Sequence, residues 1–382
     1  MIYLDNAAGS HPKPPQLSAA LTAALDRYGA NPGRGNYRLS RETAVMLETV
    51  RERLTAFFGG TDSRRMVFTS GATAALNMAI YGLMRPGQEL IISGAEHNAV
   101  YRPAAALADS RMIKLLRAPA DRYGYVPVEE FARRISPRTG LLACVHASNV
   151  CGAVQPVERL AELAAQRRLP LLIDAAQTAG LADIRLDRLP GRVLLAFPAH
   201  KALYGIAGLG GLYVSLGVDL RPLLHGGTGT LSEQRAMPAE LPQRLEAGSL
   251  NTPAVAALGA ALDFVAERGV EQLYAQARRL ADLLAEKLGN IPRVRLQLPP
   301  EPRPRMPVLS LTIDGICANQ AADWLDADYD IAVRAGYHCA PLVHKALGTW
   351  EEGTLRISPG CFNSERDIEQ TARAIAAIAK RV

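Results

Sequence analysis

The sequence predicts an α/β protein built on a largely parallel sheet with helices on both faces, and two observations carry that prediction. Short apolar runs recur at the length of buried strands: "MVFTS" (66–70), "ELIIS" (89–93), "RMIKLL" (111–116), "LLACVHAS" (141–148), "PLLIDAA" (170–176) and "VLLAF" (193–197). Runs that are apolar throughout, rather than alternating, are what strands covered on both faces require. Between them lie stretches of helical period such as "TAALNMAIYGLM" and "VERLAELAAQRR". Strand–helix alternation calls for parallel strands joined by helical crossovers.

The texture changes after about residue 250. Two long helix-like stretches, "AVAALGAALDFVAERG" and "EQLYAQARRLADLLAEKLGN", lead into the proline-rich "IPRVRLQLPPEPRPRMP" and a shorter strand-and-helix region. With 382 residues, 48% of them hydrophobic, the chain can bury more than one core. The expected division is a large domain over 15–255 and a smaller α+β domain formed by 1–14 and 256–382.

Composition narrows the function. The net charge of +6 is spread along the chain and aromatics make up 5%, so no nucleic-acid surface is expected. The opening "MIYLDNAAGSHPKPP" lacks a charged segment followed by an apolar one, and no apolar run is long enough to span a bilayer, so no membrane association and a cytoplasmic location are expected. Five cysteines without paired spacing read as free thiols. Of 43 basic residues only six are lysines, so a retained lysine invites attention: unlike arginine, a desolvated lysine can lose its proton and act as a nucleophile. Lys13, Lys114, Lys287 and Lys380 read as ordinary surface positions. The tetrapeptide "HKAL" occurs twice, at His200–Leu203 and His344–Leu347. The second lies in a short helix ended by Gly348, which points Lys345 to solvent.

Ligands of such sheets bind where strands end, and the strand ends here carry polar residues. Small residues, Gly71-Ala72-Thr73, follow the first run and open a helix, a geometry that offers N–H groups to a phosphate. His97, Asn149, Asp174 with Gln177, and His200-Lys201 follow the others. The combination suits pyridoxal phosphate, which needs a lysine to tether it, a carboxylate for its pyridine nitrogen, a flat group over the ring and a phosphate cradle. Lys201, Asp174, His97 and the 71–73 turn supply those four. Cys144, and with it Cys317 and Cys361, read as buried apolar residues. Cys339 follows a glycine and a histidine in a polar turn near Arg334, where a thiolate can be stabilised and exposed.

The segments "YLDNAA" (3–8), "FTSGATAALN" (68–77), "EHNAVYRP" (96–103), "HASNVCGAVQP" (146–156), "DAAQTAG" (174–180), "HKALYGIAGLGGLYV" (200–214), "GGTGT" (226–230), "GSLNTPAVAAL" (248–258), "RAGYHCAPL" (334–342) and "LRISPGCFN" (355–363) resemble the cysteine desulfurases, class V members of the fold type I pyridoxal phosphate enzymes, in order and over nearly the whole chain. The resemblance implies a seven-stranded-type sheet, a homodimer, and a role for each matching position. Lys201 would tether the cofactor, Asp174 pair with its nitrogen, Gln177 bond its hydroxyl, and His97 stack on the ring and move protons. Ala72, Thr73 and His200 would hold the phosphate, with Thr228 contributed by the neighbouring subunit. Asn149 would lie beside the ring or the substrate carboxylate, and Arg356, with Arg334, would bind substrate. Cys339 would attack the sulfur of L-cysteine and carry it as a persulfide to a separate acceptor protein. Cys151, close to Asn149, would be an active-site thiol without a role. Sixteen residues between Cys339 and Arg356 resemble the subgroup with a compact cysteine loop. Selenocysteine lyase and other class V reactions use the same site, and a metal-binding protein with His338, Cys339 and His344 as ligands is a rival of a different class.

Overall fold

A computed structural model describes residues 1–32, 35–300 and 302–381. In chain order the elements are β1 (Ile2–Tyr3), α1 (Pro15–Arg27), α2 (Arg38–Phe57), β2 (Met66–Thr69), α3 (Ala72–Leu83), β3 (Glu89–Ser93), α4 (Asn98–Asp109), β4 (Lys114–Ala118), α5 (Val128–Ala132), β5 (Thr139–Val145), α6 (Val157–Gln166), β6 (Pro170–Asp174), β7 (Arg192–Pro198) and β8 (Gly210–Val214). They continue with α7 (Thr252–Arg268), α8 (Val270–Gly289), β9 (Val294–Leu296), β10 (Leu309–Ile313), α9 (Ala318–Tyr329), β11 (Ile331–Ala332), β12 (Arg334–Gly336), α10 (Pro341–Leu347), β13 (Thr354–Ile357) and α11 (Glu365–Ile378).

β2 to β8 form a seven-stranded sheet in the order β2-β8-β7-β6-β5-β3-β4. All pairings are parallel except those of β8, which runs antiparallel to both neighbours. Successive side chains on a strand point to opposite faces, and the two cores follow that alternation. Ile91, Leu142, Leu171, Ile173, Leu195 and Phe197 enter one core with α2, α6 and α7. Leu90, Ile92, Leu141, Leu172, Leu194 and Ala196 enter the other with α3 and α4. α6 shows why such segments are helices: Val157, Leu160, Ala161 and Ala164 are its buried residues, one stripe at 3.6-residue spacing.

A third core holds Leu280, Leu284 and Leu288 of α8, Leu311 and Ile313 of β10, Leu355 and Ile357 of β13, and Ile368, Ile375 and Ile378 of α11. Behind it stands the antiparallel sheet β12-β13-β10-β9. The start of the chain joins this second body: β1 pairs in parallel with β11, and Leu4 lies in the third core. α7 gives Ala254, Val255, Leu258 and Leu262 to the large-sheet core. We therefore propose that the division expected near residue 255 falls at Gly269, between α7 and α8. Among the described residues no helix is long and apolar enough to cross a membrane.

β2 is an edge strand, whose outward N–H and C=O groups need partners. Glu246 and Arg51 supply them: the Phe68 N–H donates to Glu246 Oε1 at 2.6 Å, and Arg51 Nη1 donates to the Met66 carbonyl at 2.5 Å. The two side chains pair at 2.7 Å with 4% and 7% exposure. Glu246→Gln removes the buried counter-charge of Arg51, leaving it only the half-exposed Glu48 at 3.1 Å, and is expected to cost about 3 kcal/mol. Urea unfolding checks this, and a loss well under about 1 kcal/mol contradicts the edge-clamp role.

Candidate active site

The strand ends converge on one cavity of about 330 Å³ at the C-terminal edge of the large sheet, closed on one side by β12 and β13. Its walls include Ala72, Thr73, His97, Asn149, Asp174, Gln177, His200, Lys201, Arg334, Cys339 and Arg356. Of the residues expected to bind cofactor or substrate or to act in catalysis, Thr228 is not on this wall. It is half-buried, and its Oγ1 donates to the Thr230 carbonyl at 3.1 Å.

Asp174 ends β6 and is 2% exposed. Its Oδ1 accepts the Ala176 N–H at 2.9 Å. Burial raises its pKa, and the nearby Lys201 ammonium opposes that rise. Lys201 follows β7 on a tight turn, where Tyr204 takes φ 58° and is held by its hydroxyl, 3.0 Å from Cys361 Sγ. Burial, then Arg356 and Arg334, push the Lys201 amine down to about 8, against the pull of Asp174. His97 caps α4: its Nδ1 accepts the Ala99 N–H at 3.0 Å, which puts the proton of the neutral ring on Nε2. Burial and the surrounding cations hold His97 down to about 4, so the ring is neutral at physiological pH. Beneath it, Glu96 accepts from Ser93 Oγ at 2.5 Å and the Val145 N–H at 2.7 Å, tying the ends of β3 and β5 together.

The cysteine turn is strained and pinned. His338 and Cys339 take φ of 50° and 58°, conformations that cost non-glycine residues about 1–3 kcal/mol each. Asn149 Nδ2 donates to the His338 carbonyl at 2.6 Å, and the Asn98 N–H to the Cys339 carbonyl at 2.7 Å. Cys339 is exposed, with Arg334 Nη2 4.0 Å from its Sγ. Arg356 is buried: Nη2 donates to Asp5 Oδ1 at 2.5 Å and Nη1 to the Asn149 carbonyl at 3.1 Å.

The donor set fits pyridoxal phosphate. Gly71, at φ 147°, turns the chain into α3 without a side-chain cap, so the first N–H groups of that helix are open to an anion. The facing strand must also be bare there, because a Cβ on Gly210 would sit 2.7 Å from Gly71 Cα. Asn149 Oδ1 and His200 Nδ1 are buried without a hydrogen-bond partner among the described residues, which leaves them for a ligand. Asp174 makes no ion pair among the described residues, as a carboxylate meant for a ring nitrogen should.

A sequence profile described as aminotransferase class-V matches residues 2–371. The chain belongs to the class-V aminotransferase family. It is similar to a probable cysteine desulfurase of Vibrio cholerae, 32% identical over 392 residues and covering 100% of this chain and 94% of that protein. A probable cysteine desulfurase of Pseudomonas putida is 34% identical over 379 residues, covering 96% of this chain and 91% of its own. The structure of a cysteine desulfurase from Thermococcus onnurineus superposes with a TM-score of 0.91 at 28% identity, covering 100% of this chain and 95% of that one.

Within this class-V chain the structure corrects three readings. Cys151 is fully buried with Sγ 3.3 Å from the Tyr123 carbonyl, off the cavity wall, so it is no active-site thiol. Cys317 is exposed rather than buried, because it stands just before α9 instead of within an apolar face. Lys13 is not an idle surface lysine: its Nζ donates to the His200 carbonyl and to Ser10 Oγ, both at 2.9 Å. The scarcity of lysines was the one signal that could have pointed to it. The rival metal set is committed elsewhere, His338 Nε2 to Thr354 and His344 Nδ1 to Thr349, and the described residues contain no group of three potential ligands. Lys345 is exposed and lies over the Trp350 ring at 4.4 Å.

Two outcomes follow from this geometry. Brief alkylation of the native protein should modify Cys339 and Cys317 and spare Cys144, Cys151 and Cys361, as read by peptide mass spectrometry; equal labelling of Cys151 contradicts its placement. With Lys201 lowered from 10.5 to about 8, the neutral amine appears as pH rises through 8. Borohydride trapping of pyridoxal phosphate by cofactor-free protein should accelerate with a midpoint there, whereas a midpoint near 10 contradicts the desolvated amine.

Proposed function

We propose that the protein is a pyridoxal phosphate-dependent cysteine desulfurase that takes the sulfur of L-cysteine onto Cys339 and releases L-alanine. The observation that carries this reading is that Cys339, exposed and facing Arg334, shares one cavity with Lys201, Asp174, His97 and Arg356. Relatives at 32% and 34% identity over nearly the full chain, named as probable cysteine desulfurases, support it.

The bound cofactor supplies an electron-accepting ring that stabilises negative charge at the substrate α-carbon. Asp174 keeps a proton on the ring nitrogen, Gln177 holds the ring hydroxyl, and the neutral His97 covers the ring face. The Ala72 and Thr73 end of α3 and His200 hold the phosphate, joined by Thr228 of a second subunit in a homodimer. Arg356 binds the substrate carboxylate as a planar fork. Its Nε is buried and has no partner among the described residues, so it can donate there while Nη2 keeps or exchanges Asp5. Lys201, its amine already near neutrality, takes the α-proton.

The Cys339 thiolate then attacks the substrate sulfur. The S–S bond forms as the C–S bond breaks, the electron pair remains with carbon, and carbon takes up protons to become alanine. Asn98 and Asn149 hold the backbone of the cysteine turn, so the thiolate approaches from a fixed position. The short connection to β13 keeps the loop compact, and the outer sulfur of the persulfide passes to a thiol of a separate acceptor protein. Five free cysteines fit a reducing, cytoplasmic setting.

Cys339→Ala is expected to fold, bind cofactor and change its visible spectrum with L-cysteine, yet release no alanine. Full activity in this variant overturns the desulfurase reading. Asp174→Asn, nearly isosteric, should retain cofactor while exchange of the substrate α-proton with solvent falls by orders of magnitude, and unchanged exchange removes Asp174 from its role.

A further inference from the structure

We propose that Lys13 is the counter-charge for the cofactor's phosphate, acting from behind His200; this rests on the cofactor reading above. The phosphate end of the cavity is formed by Ser70, Gly71, Ala72, Thr73, Ala74 and His200, and none of these is a lysine or arginine. A phosphate monoester near neutral pH carries about −1.5 to −2. A helix N-terminus offers roughly +0.5. His200 is a poor source of positive charge, since burial, Lys201 and Lys13 disfavour its protonated form against a backbone hydrogen bond at Ala8 that favours it. Lys201 is committed to tethering, and Arg334 and Arg356 enter from β12 and β13, on the side of Cys339 and the substrate. About one to one and a half negative charges are therefore left unbalanced by this wall.

Lys13 is placed to balance it. Its ammonium is partly buried and makes no ion pair among the described residues, touching only two neutral oxygens, the His200 carbonyl and Ser10 Oγ. Ser10 donates its own N–H to the same His200 carbonyl at 3.1 Å, so the N-terminal segment is fastened to the residue that faces the phosphate. The field of Lys13 reaches the His200 imidazole. A half-buried cation without an anion is a cost to the empty protein: burial alone brings the Lys13 amine down to about 8. A phosphate beyond His200 returns the missing partner and raises that value. Retention of lysine here, in a chain that uses arginine nearly everywhere, suits a compact ammonium with three donors better than a planar fork.

The test compares pyridoxal phosphate with pyridoxal, which lacks the phosphate, on cofactor-free full-length protein. Binding is followed by absorbance for the wild type, Lys13→Met and Lys13→Arg at low and high salt, with thermal unfolding as a folding control. The expected result is about a tenfold loss of pyridoxal phosphate affinity in Lys13→Met, larger at low salt, partial recovery in Lys13→Arg, and no change for pyridoxal. If both compounds weaken equally, Lys13 only positions the His200–Lys201 turn and the assignment is overturned; unchanged affinity for both overturns it as well. Wild-type protein that takes up neither compound removes the cofactor reading and this assignment with it, a failure distinct from the other two.

Discussion

The active site depends on one buried guanidinium. Among the described residues Arg356 is the largest side chain to be almost wholly buried, at 1% exposure, and each end of it belongs to a different part of the molecule. Its own strand, β13, is part of the small sheet; Nη1 reaches the loop after β5 in the large domain, and Nη2 reaches Asp5 near the start of the chain. A buried charge must be paired or it destabilises the fold by several kcal/mol. The pairing therefore fixes how the two bodies meet, and the cavity is the space they leave. Arg334 lies directly across from Arg356 on β12. Like charges in that arrangement repel. Asp5 offsets one of them, and the other is left facing the Cys339 thiol.

The first thirteen residues stitch the rest together. Ser358 donates its N–H to the Leu4 carbonyl at 2.7 Å and accepts the Ala7 N–H on Oγ at 2.9 Å, which holds the segment to the end of β13. Gln177 Nε2 donates to the Ala7 carbonyl at 2.9 Å, and Ser10 and Lys13 converge on the carbonyl of His200. One short strap thus touches Arg356, the residue proposed for the substrate carboxylate, Gln177, the residue proposed for the ring hydroxyl, and the peptide that precedes Lys201. A small displacement of the strap would be felt at all three, so its hydrogen bonds serve positioning as much as stability.

Much of this was legible in the sequence, for a physical reason. Strands buried on both faces must be apolar throughout, so "ELIIS" and "PLLID" announce themselves, and β3 spans the same five residues that the run marks. Polar residues just beyond such runs have few structural reasons to be there, which is why Asp174 and Lys201 could be picked out. β8 was not named as a strand because Gly210 and Gly211 dilute its apolar signal; the ring of Phe197 occupies the space that a Cβ on Gly211 would take. The run at 111–116 starts early because Arg111 is left-handed, at φ 57°, and the strand begins only at Lys114. The burial of Cys151, the exposure of Cys317 and the link from Lys13 to His200 depend on contacts between segments far apart in sequence, which local pattern does not encode.

The central claim is that sulfur leaves the substrate on one particular thiol. Its most direct test is a single turnover, with less L-cysteine than enzyme, followed by alkylation and peptide mass spectrometry. The account predicts one added sulfur atom on the peptide carrying Cys339, in an amount equal to the alanine formed, and none on the peptide carrying Cys317, which is also exposed. Alanine released with its sulfur on another cysteine, or on no cysteine at all, would contradict it.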